Sequence, residues 1–205
     1  STAKFVKQVL HYWLTEFQFD GFRFDLSKGF TQKNTLGNTG AWGQLDNSRI
    51  AIWKRIRDEI REYDKNAVLI LEHFADNDEE KVLSKEGFLI WGNANHEYNE
   101  ATMGYTSDLS WGSNYKSRGW SEPNLISFME SHDEERLMYK NLQYGNSNGN
   151  YSTKDLNTGL KRVEMASNIF FTVPGPKMIW QFGELGYDYE IDYNGRTGEK
   201  PIKWD

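Results

Sequence analysis

The chain has 205 residues, a formal net charge of −6 and no cysteine. This length is sufficient for one domain with a sizeable hydrophobic core. The negative charge argues against nucleic acid or an anionic membrane surface as a partner, and the lack of cysteine excludes a disulfide framework and thiolate chemistry. No apolar run is long enough for a membrane span. Aromatic residues make up 15% of the chain; they fill cores first and also serve as platforms for sugars.

Helices and strands alternate along the first part of the sequence. Apolar residues at helical spacing predict an α-helix over 2–17, and a strand is predicted over 19–26 after almost no loop. Residues 29–45 are rich in glycine, asparagine and threonine and predict a long loop. A second helix is predicted over 47–63, and the apolar run 67–71 predicts a buried parallel strand.

The same alternation continues to the end of the chain. Asn77 is the predicted N-cap of a short helix that ends at Gly87, and Glu80 completes a capping box. This alternation indicates a parallel sheet or barrel, with no domain boundary inside the chain. The other predicted elements are strands at 88–91, 125–129 and 177–182, helices near 95–103 and at 153–171, a flexible loop at 143–152, and a tail at 187–205 without periodicity.

The stretch Gly21–Lys28 carries the first candidate catalytic group. Large apolar side chains, Leu26 among them, lie on one face of the predicted strand, and Arg23 and Asp25 lie on the other. An arginine two residues before an aspartate on the same face favours the ionised carboxylate. The C-terminal strand ends are where parallel α/β barrels keep their chemistry. On this stretch alone, a structural Arg–Asp pair is an equally good interpretation.

Two later strands also end in ionisable side chains. Glu72 follows the second predicted strand, and His132 and Asp133 follow the fourth. The C-terminal strand ends of parallel α/β folds converge on one face, so we expect these residues to share a site with Asp25. Carboxylates that share a site cannot all ionise equally. The arrangement therefore predicts one ionised nucleophile and one protonated acid, as retaining glycoside hydrolysis requires.

The surroundings of each residue divide these roles. Arg23 favours the charged form of Asp25, which makes Asp25 the candidate nucleophile. Glu72 follows a strongly apolar strand, which favours a protonated carboxyl and makes Glu72 the candidate acid/base. His132 and Asp133 are candidates for binding sugar hydroxyls and for favouring a distorted ring in the transition state.

These residues match the signature regions of a known family. The chain resembles the alpha-amylase family of glycoside hydrolases: three of its signature regions match Gly21–Lys28, the strand that ends at Glu72, and Phe128–Asp133. Residues 173–184 look like the eighth barrel strand of the family and its exit. The resemblance implies that Asp25 is the nucleophile, Glu72 the acid/base and Asp133 the transition-state stabiliser. The substrate-binding residues that it implies are Arg23, Lys28 and His132.

The sequence departs from the family in three places. Gly29 stands where amylases often have histidine, and Ser131 replaces the usual asparagine before the histidine; neither change removes a catalytic carboxylate. The first signature of the family has no match, so the five predicted strands resemble strands four to eight of the barrel, and a complete barrel needs about 250 residues.

We therefore expect 1–205 to be part of one catalytic domain, an α/β fold forming a partial TIM (β/α)8-type barrel. Its first barrel strands and the trailing C-terminal domain would be absent. A partial barrel exposes sheet edges, which predicts self-association or poor stability.

The leading functional hypothesis is a retaining glycoside hydrolase of α-glucans such as starch, glycogen and maltooligosaccharides. An α-glucan transglycosylase or branching enzyme and an inactive glucan-binding barrel fragment are the alternatives. The expected partner is an α-glucan, with no nucleic acid and no membrane span. No cofactor or metal site is predicted, although calcium is left open for a full-length protein. A secreted, periplasmic or cell-surface location is favoured over the cytoplasm.

Three loop tryptophans and two further polar residues complete the set of candidates. The tryptophans are candidates for stacking on sugars. His73 points away from the site and is predicted to be structural, and Glu184 is as suited to lining the site as to a structural hydrogen bond. The three tryptophans are Trp42, Trp111 and Trp120.

Overall fold

The computed structural model describes residues 2–204. Its α-helices are α1 (Thr2–Glu16), α2 (Asn47–Arg61), α3 (Asn77–Lys85), α4 (Asn95–Met103), α5 (Ser110–Ser113), α6 (Leu137–Tyr144) and α7 (Leu156–Thr172). Its β-strands are β1 (Gly21–Phe24), β2 (Val68–Leu71), β3 (Leu89–Asn93), β4 (Leu125–Phe128), β5 (Ser147–Asn148), β6 (Tyr151–Ser152) and β7 (Lys177–Met178). Short 3-10 turns cover Ser27–Gly29, Thr39–Gly43 and Gly183–Leu185.

Five of the strands form one sheet, in the order β1-β2-β3-β4-β7. The pairs β1–β2, β2–β3 and β4–β7 are parallel, and Phe24 of β1 lies opposite Leu71 of β2. Parallel neighbours require crossover connections, which the intervening helices supply. The predicted parallel α/β organisation is therefore confirmed. The remaining strands, β5 and β6, form a separate antiparallel hairpin.

The chain divides into two compact units: unit 1 is Ser1–Trp91 with Arg118–Leu125, and unit 2 is Gly92–Ser117 with Ile126–Asp205. Whether 1–205 belongs to one catalytic domain stays a prediction, and Ser1 and Asp205 lie outside the described residues. Within the described part of the chain, no helix combines the length and the apolar character needed to cross a bilayer.

The core of unit 1 is built around Trp53 on α2, which is fully buried. Its ring lies 4.8 Å from that of Phe24 and 4.7 Å from that of Phe30, centroid to centroid. Its indole N–H donates to the carbonyl of Ser27 at 3.1 Å. Trp53 thus ties helix α2 to the segment that follows β1, where the first candidate carboxylate lies.

The core of unit 2 lies between three helices. Tyr98 of α4 and Phe170 of α7 meet edge to face at 5.8 Å between ring centroids, and Leu137 of α6 packs in the same buried cluster. Helix α6 has no counterpart among the predicted elements. Its first amide is capped from a distance, since Leu137 N–H donates to Glu130 Oε1 at 2.7 Å, and no local capping pattern precedes it.

Several predicted boundaries are wrong. The N-cap of α3 is Asp76, whose side chain accepts from the Asp78 amide at 2.9 Å. Asn77 instead bonds through both side-chain atoms to the segment 118–120. The strand predicted over 177–182 is reduced to two residues, and the loop predicted at 143–152 contains the β5–β6 hairpin.

Candidate active site

Parallel strands β1 and β2 end side by side, which places two carboxylates next to each other. The Glu72 amide donates to the carbonyl of Phe24 at 3.1 Å, extending the ladder by one residue. Arg23 then reaches both acids: its Nη1 lies 3.1 Å from Asp25 Oδ1, and its Nη2 lies 3.0 Å from Glu72 Oε2. Its guanidinium carbon also lies 4.9 Å from the ring centroid of Trp91 on β3, a cation–π distance.

Arg23 therefore serves both acids, whereas the strand pattern had suggested a pair with Asp25 alone. The two carboxylates differ in exposure. The side chain of Asp25 is 77% exposed and that of Glu72 is 14% exposed. Asp25 is thus open to a substrate, and Glu72 is held by protein groups, including the Leu26 amide at 2.9 Å from its Oε2.

The turn after β1 depends on a strained residue. Leu26 has φ 43° and ψ 47°, in the left-handed region, so it does not continue the apolar face of the strand as predicted. A non-glycine residue there costs roughly 1–2 kcal/mol. The turn directs the Leu26 N–H to the Glu72 carboxylate. Phe74, two residues after Glu72, has a similar positive φ of 48°, so each strand exit contains a non-glycine residue with a positive φ.

Lys28 follows this turn and lies beside the exit of β2. Its Nζ donates to the carbonyl of Phe74 at 3.2 Å. Lys28 is thus brought to the same strand exits as Asp25 and Glu72, and its contact with a downstream sugar stays a prediction.

In unit 2, His132 and Asp133 follow β4 and contact each other. His132 Nε2 lies 3.1 Å from Asp133 Oδ2, and both side chains are about half exposed. Arg196 Nη2 lies 3.7 Å from Asp133 Oδ1 and also donates to the Asp133 carbonyl. The ring of His132 lies 5.7 Å from that of Trp180. A cavity of about 140 Å³ adjoins this group, and its lining includes His132, Trp180, Tyr189, Arg196 and Lys200.

Two further carboxyl groups flank Asp133 and face the protein. Burial raises the pKa of Glu130, which accepts from Arg136 Nη1 at 3.2 Å and caps α6. Burial also raises the pKa of Glu134, which accepts from Asn93 Nδ2 at 2.6 Å and from the Ser131 hydroxyl. Both carboxyls therefore shape the segment that carries Asp133.

Ser131 also holds the backbone of Asp133, whose amide donates to its Oγ at 3.0 Å. The serine that departs from the family pattern thus has a structural role. Arg196 and Trp180 were missed by sequence reasoning. Arg196 lies in the tail without periodicity, where no local signal marks it.

The structure thus brings Arg23, Asp25, Lys28 and Glu72 together in unit 1, and it brings His132 and Asp133 together in unit 2. A shared site for the two groups stays a prediction. Among residues 2–204, no three histidine, aspartate or glutamate side chains converge as a metal ion would require.

The tryptophan candidates differ in exposure. Trp120 is buried and donates to the Asn77 side chain, so it offers no free face for a sugar. Trp111 is half exposed. Trp42 donates its indole N–H to the Thr35 hydroxyl and is partly buried. Trp111 therefore keeps the most accessible ring of the three.

No protein-family model matches the sequence, and no curated protein matches it. Solved structures do match the fold. An alpha-amylase from Anoxybacillus superposes with a TM-score of 0.59 at 18% identity, covering 91% of this chain and 36% of that one. The type III pullulan hydrolase of Thermococcus kodakarensis gives 0.57 at 17% identity, covering 88% and 29%. A pullulanase from Anoxybacillus sp. LM18-11, solved with maltotetraose, gives 0.57 at 16% identity, covering 92% and 28%.

The chain shares its fold with part of an alpha-amylase. It spans about a third of the length of the enzymes it matches. At this level of identity the likeness concerns the fold alone, and it agrees with a partial α/β barrel.

Proposed function

We propose that this chain carries the nucleophile and the acid/base of a retaining glycoside hydrolase that acts on α-glucans. The observation that carries the proposal is Arg23, which holds Asp25 and Glu72 at adjacent exits of parallel strands. The fold is shared with an alpha-amylase and two pullulan-degrading enzymes, which supports a glucan substrate.

In the proposed reaction, the Asp25 carboxylate attacks the anomeric carbon while the Glu72 carboxyl gives its proton to the glycosidic oxygen. The carbon–oxygen bond to the leaving sugar breaks, and that sugar departs as an alcohol. The glycosyl ester on Asp25 is then attacked at the same carbon by water, whose proton passes to Glu72. Both side chains return to their starting states, and the anomeric configuration is retained.

The contacts of Arg23 suit this cycle electrostatically. Before attack the negative charge is on Asp25, and after ester formation it is on Glu72. The pair therefore carries one negative charge in both states, and that charge moves from the Nη1 side of one guanidinium to the Nη2 side. A fixed cation in contact with both acids stabilises the charge throughout without reorganisation.

The remaining roles rest on the resemblance. Asp133 is proposed to stabilise the transition state, His132 to contact sugar hydroxyls, and Lys28 to contact a downstream sugar. The pairs of Asp133 with His132 and with Arg196 support a fixed position for its carboxylate.

The test is release of reducing sugar from maltooligosaccharides, with Asp25→Asn as the control. We expect hydrolysis with retention of the anomeric configuration, which proton NMR of the first product measures. We expect Asp25→Asn to abolish hydrolysis. Activity that survives this substitution would refute the mechanism. Longer oligosaccharide products would indicate transglycosylation, and binding without cleavage would indicate a glucan-binding protein.

A further inference from the structure

A buried chain of polar side chains lies behind the two candidate catalytic carboxylates. Ser27, His73 and Glu79 are each completely buried. Ser27 Oγ lies 2.7 Å from His73 Nδ1, and His73 Nε2 lies 2.8 Å from Glu79 Oε1. At the Ser27 end, this hydrogen-bonded series reaches Glu72, whose carbonyl lies 2.8 Å from both the amide nitrogen and the hydroxyl oxygen of Ser27. None of these three side chains is open to a substrate.

At the Glu79 end, the series is anchored by Arg49, which is also buried. Its Nε and Nη2 bind the two oxygens of Glu79 at 2.6 and 2.8 Å. Its Nη1 donates to the carbonyl of Lys28 at 2.8 Å, and other bonds reach the carbonyls of Trp42 and Gln44. One guanidinium therefore connects the loop before α2 to the turn that carries Lys28.

Counting protons fixes the direction of each bond. Burial opposes ionisation of Glu79, but hydrogen bonds from His73 and Arg49 outweigh it and lower the pKa of Glu79. An ionised Glu79 only accepts, so His73 Nε2 carries a proton. Burial lowers the pKa of His73, which leaves Nδ1 as an acceptor for the Ser27 hydroxyl. The Ser27 amide then supplies the bond to the Glu72 carbonyl.

These buried hydrogen bonds hold the strained turn after Asp25 in place. Leu26 lies between Asp25 and Ser27 in the left-handed region, and such strain persists only where the surroundings hold it. Ser27 is the residue that ties this turn to the exit of β2. If the bond between Ser27 and His73 is lost, the turn is held less firmly. The bond from the Leu26 amide to the Glu72 carboxylate is then weakened.

We propose that Ser27, His73 and Glu79 are positioning residues, which lock the turn after Asp25 to the backbone of Glu72 and so keep both carboxylates on Arg23. This inference rests on the proposed function for its catalytic meaning, but the positioning itself is measurable without turnover. Sequence reasoning predicted His73 to be structural, and the structure bonds it to the Ser27 hydroxyl, while the Ser27 amide bonds to the carbonyl of Glu72.

The test is Ser27→Ala in the full chain, followed by amide hydrogen exchange and by kinetics on maltooligosaccharides. We expect exchange at Leu26 to be about tenfold faster, as for the loss of one buried hydrogen bond. Exchange at Val68, whose amide bonds to Asp20 at the other end of the same strand pair, should not change. We expect kcat to fall about tenfold while KM stays within about twofold, because misplaced groups slow the chemical step.

Ser84→Ala is the matched control. Ser84 is a buried serine of the same unit, and its hydroxyl has no hydrogen-bond partner in the described part of the chain. Ser84→Ala should leave both the Leu26 exchange rate and kcat unchanged. His73→Gln is a second variant, which should accelerate Leu26 exchange as Ser27→Ala does.

Three results would overturn the inference: wild-type exchange at Leu26 in Ser27→Ala, equal acceleration at Val68, or the same effect from Ser84→Ala. If the wild-type chain and Asp25→Asn are equally inactive, the proposed function fails. Exchange at Leu26 then decides the positioning inference alone.

Discussion

Replacing Arg23 by glutamine removes the cation that contacts both proposed catalytic acids. Two unit charges at 3.0–3.1 Å interact by about 1.3–1.4 kcal/mol in a water-like dielectric. That dielectric is appropriate for Asp25, whose side chain is 77% exposed. For the more buried Glu72 it gives a lower limit on the interaction energy with Arg23. Because the pair carries one negative charge at a time, Arg23→Gln removes one such interaction, about 1.4 kcal/mol, so we expect kcat/KM to fall about tenfold.

The assay is kcat/KM on a maltooligosaccharide, with thermal unfolding measured in parallel. Arg23 and Glu72 are only 26% and 14% exposed, so removing the cation should also lower the free energy of unfolding, by about 1–3 kcal/mol. Activity is therefore compared at a temperature where both proteins are folded. Arg23→Lys keeps the charge on a single ammonium, which contacts one carboxylate well, so it should lose less activity than Arg23→Gln.

Arg55→Gln is the matched control. Arg55 pairs with Glu59 on the exposed face of α2, and its substitution should leave kcat/KM unchanged. The reasoning is refuted if Arg23→Gln stays within about threefold of the wild type, or if Arg55→Gln loses as much activity.

Two further predictions concern stability and assembly. Burial raises the pKa of Glu80 to about 7, although Arg118 opposes the shift. The folded state therefore binds this proton more tightly than the unfolded state, and the stabilisation present below pH 4.5 is lost as the pH rises through 7. Glu80→Gln should remove that loss, worth up to about 3 kcal/mol, so urea midpoints of the two proteins should diverge between pH 5 and 8; parallel curves would contradict it. Separately, β1 ends the strand order, and Phe5 and Tyr12 on α1 are more than half exposed. We expect the apparent mass in light scattering to rise with concentration, and a monodisperse monomer with a cooperative melt would count against this.

Arg49 and Arg23 show how two arginines can serve one site in different ways. Arg23 contacts the carboxylates directly and is partly exposed. Arg49 is buried and acts on them indirectly, through Glu79, His73 and Ser27 and through its bond to the Lys28 carbonyl. Substitutions of the two arginines should therefore have different effects. Replacing Arg23 changes the charge at the acids, and replacing Arg49 changes the rigidity of the turn that carries them.

Local patterns in the sequence were sufficient to predict the alternating helices and strands and the carboxylates at the strand exits. Strand periodicity and the change from apolar to ionisable residues need only neighbours along the chain, so Asp25 and Glu72 are visible without a structure. Element ends were less predictable. The cap of α3 moved to Asp76 because the segment 118–120 occupies the Asn77 side chain, and α6 was missed because Glu130 caps it.

The tertiary structure alone decided which groups the candidate residues meet. Arg23 reaches Glu72 as well as Asp25 because the parallel register sets two strand exits side by side. Arg196 reaches Asp133 from 63 residues away. The bond from Ser27 to His73 likewise joins residues 46 apart. The sequence by itself therefore determined which chemical groups the strand exits carry, whereas their ionic and hydrogen-bond partners depend on long-range packing that no local pattern encodes.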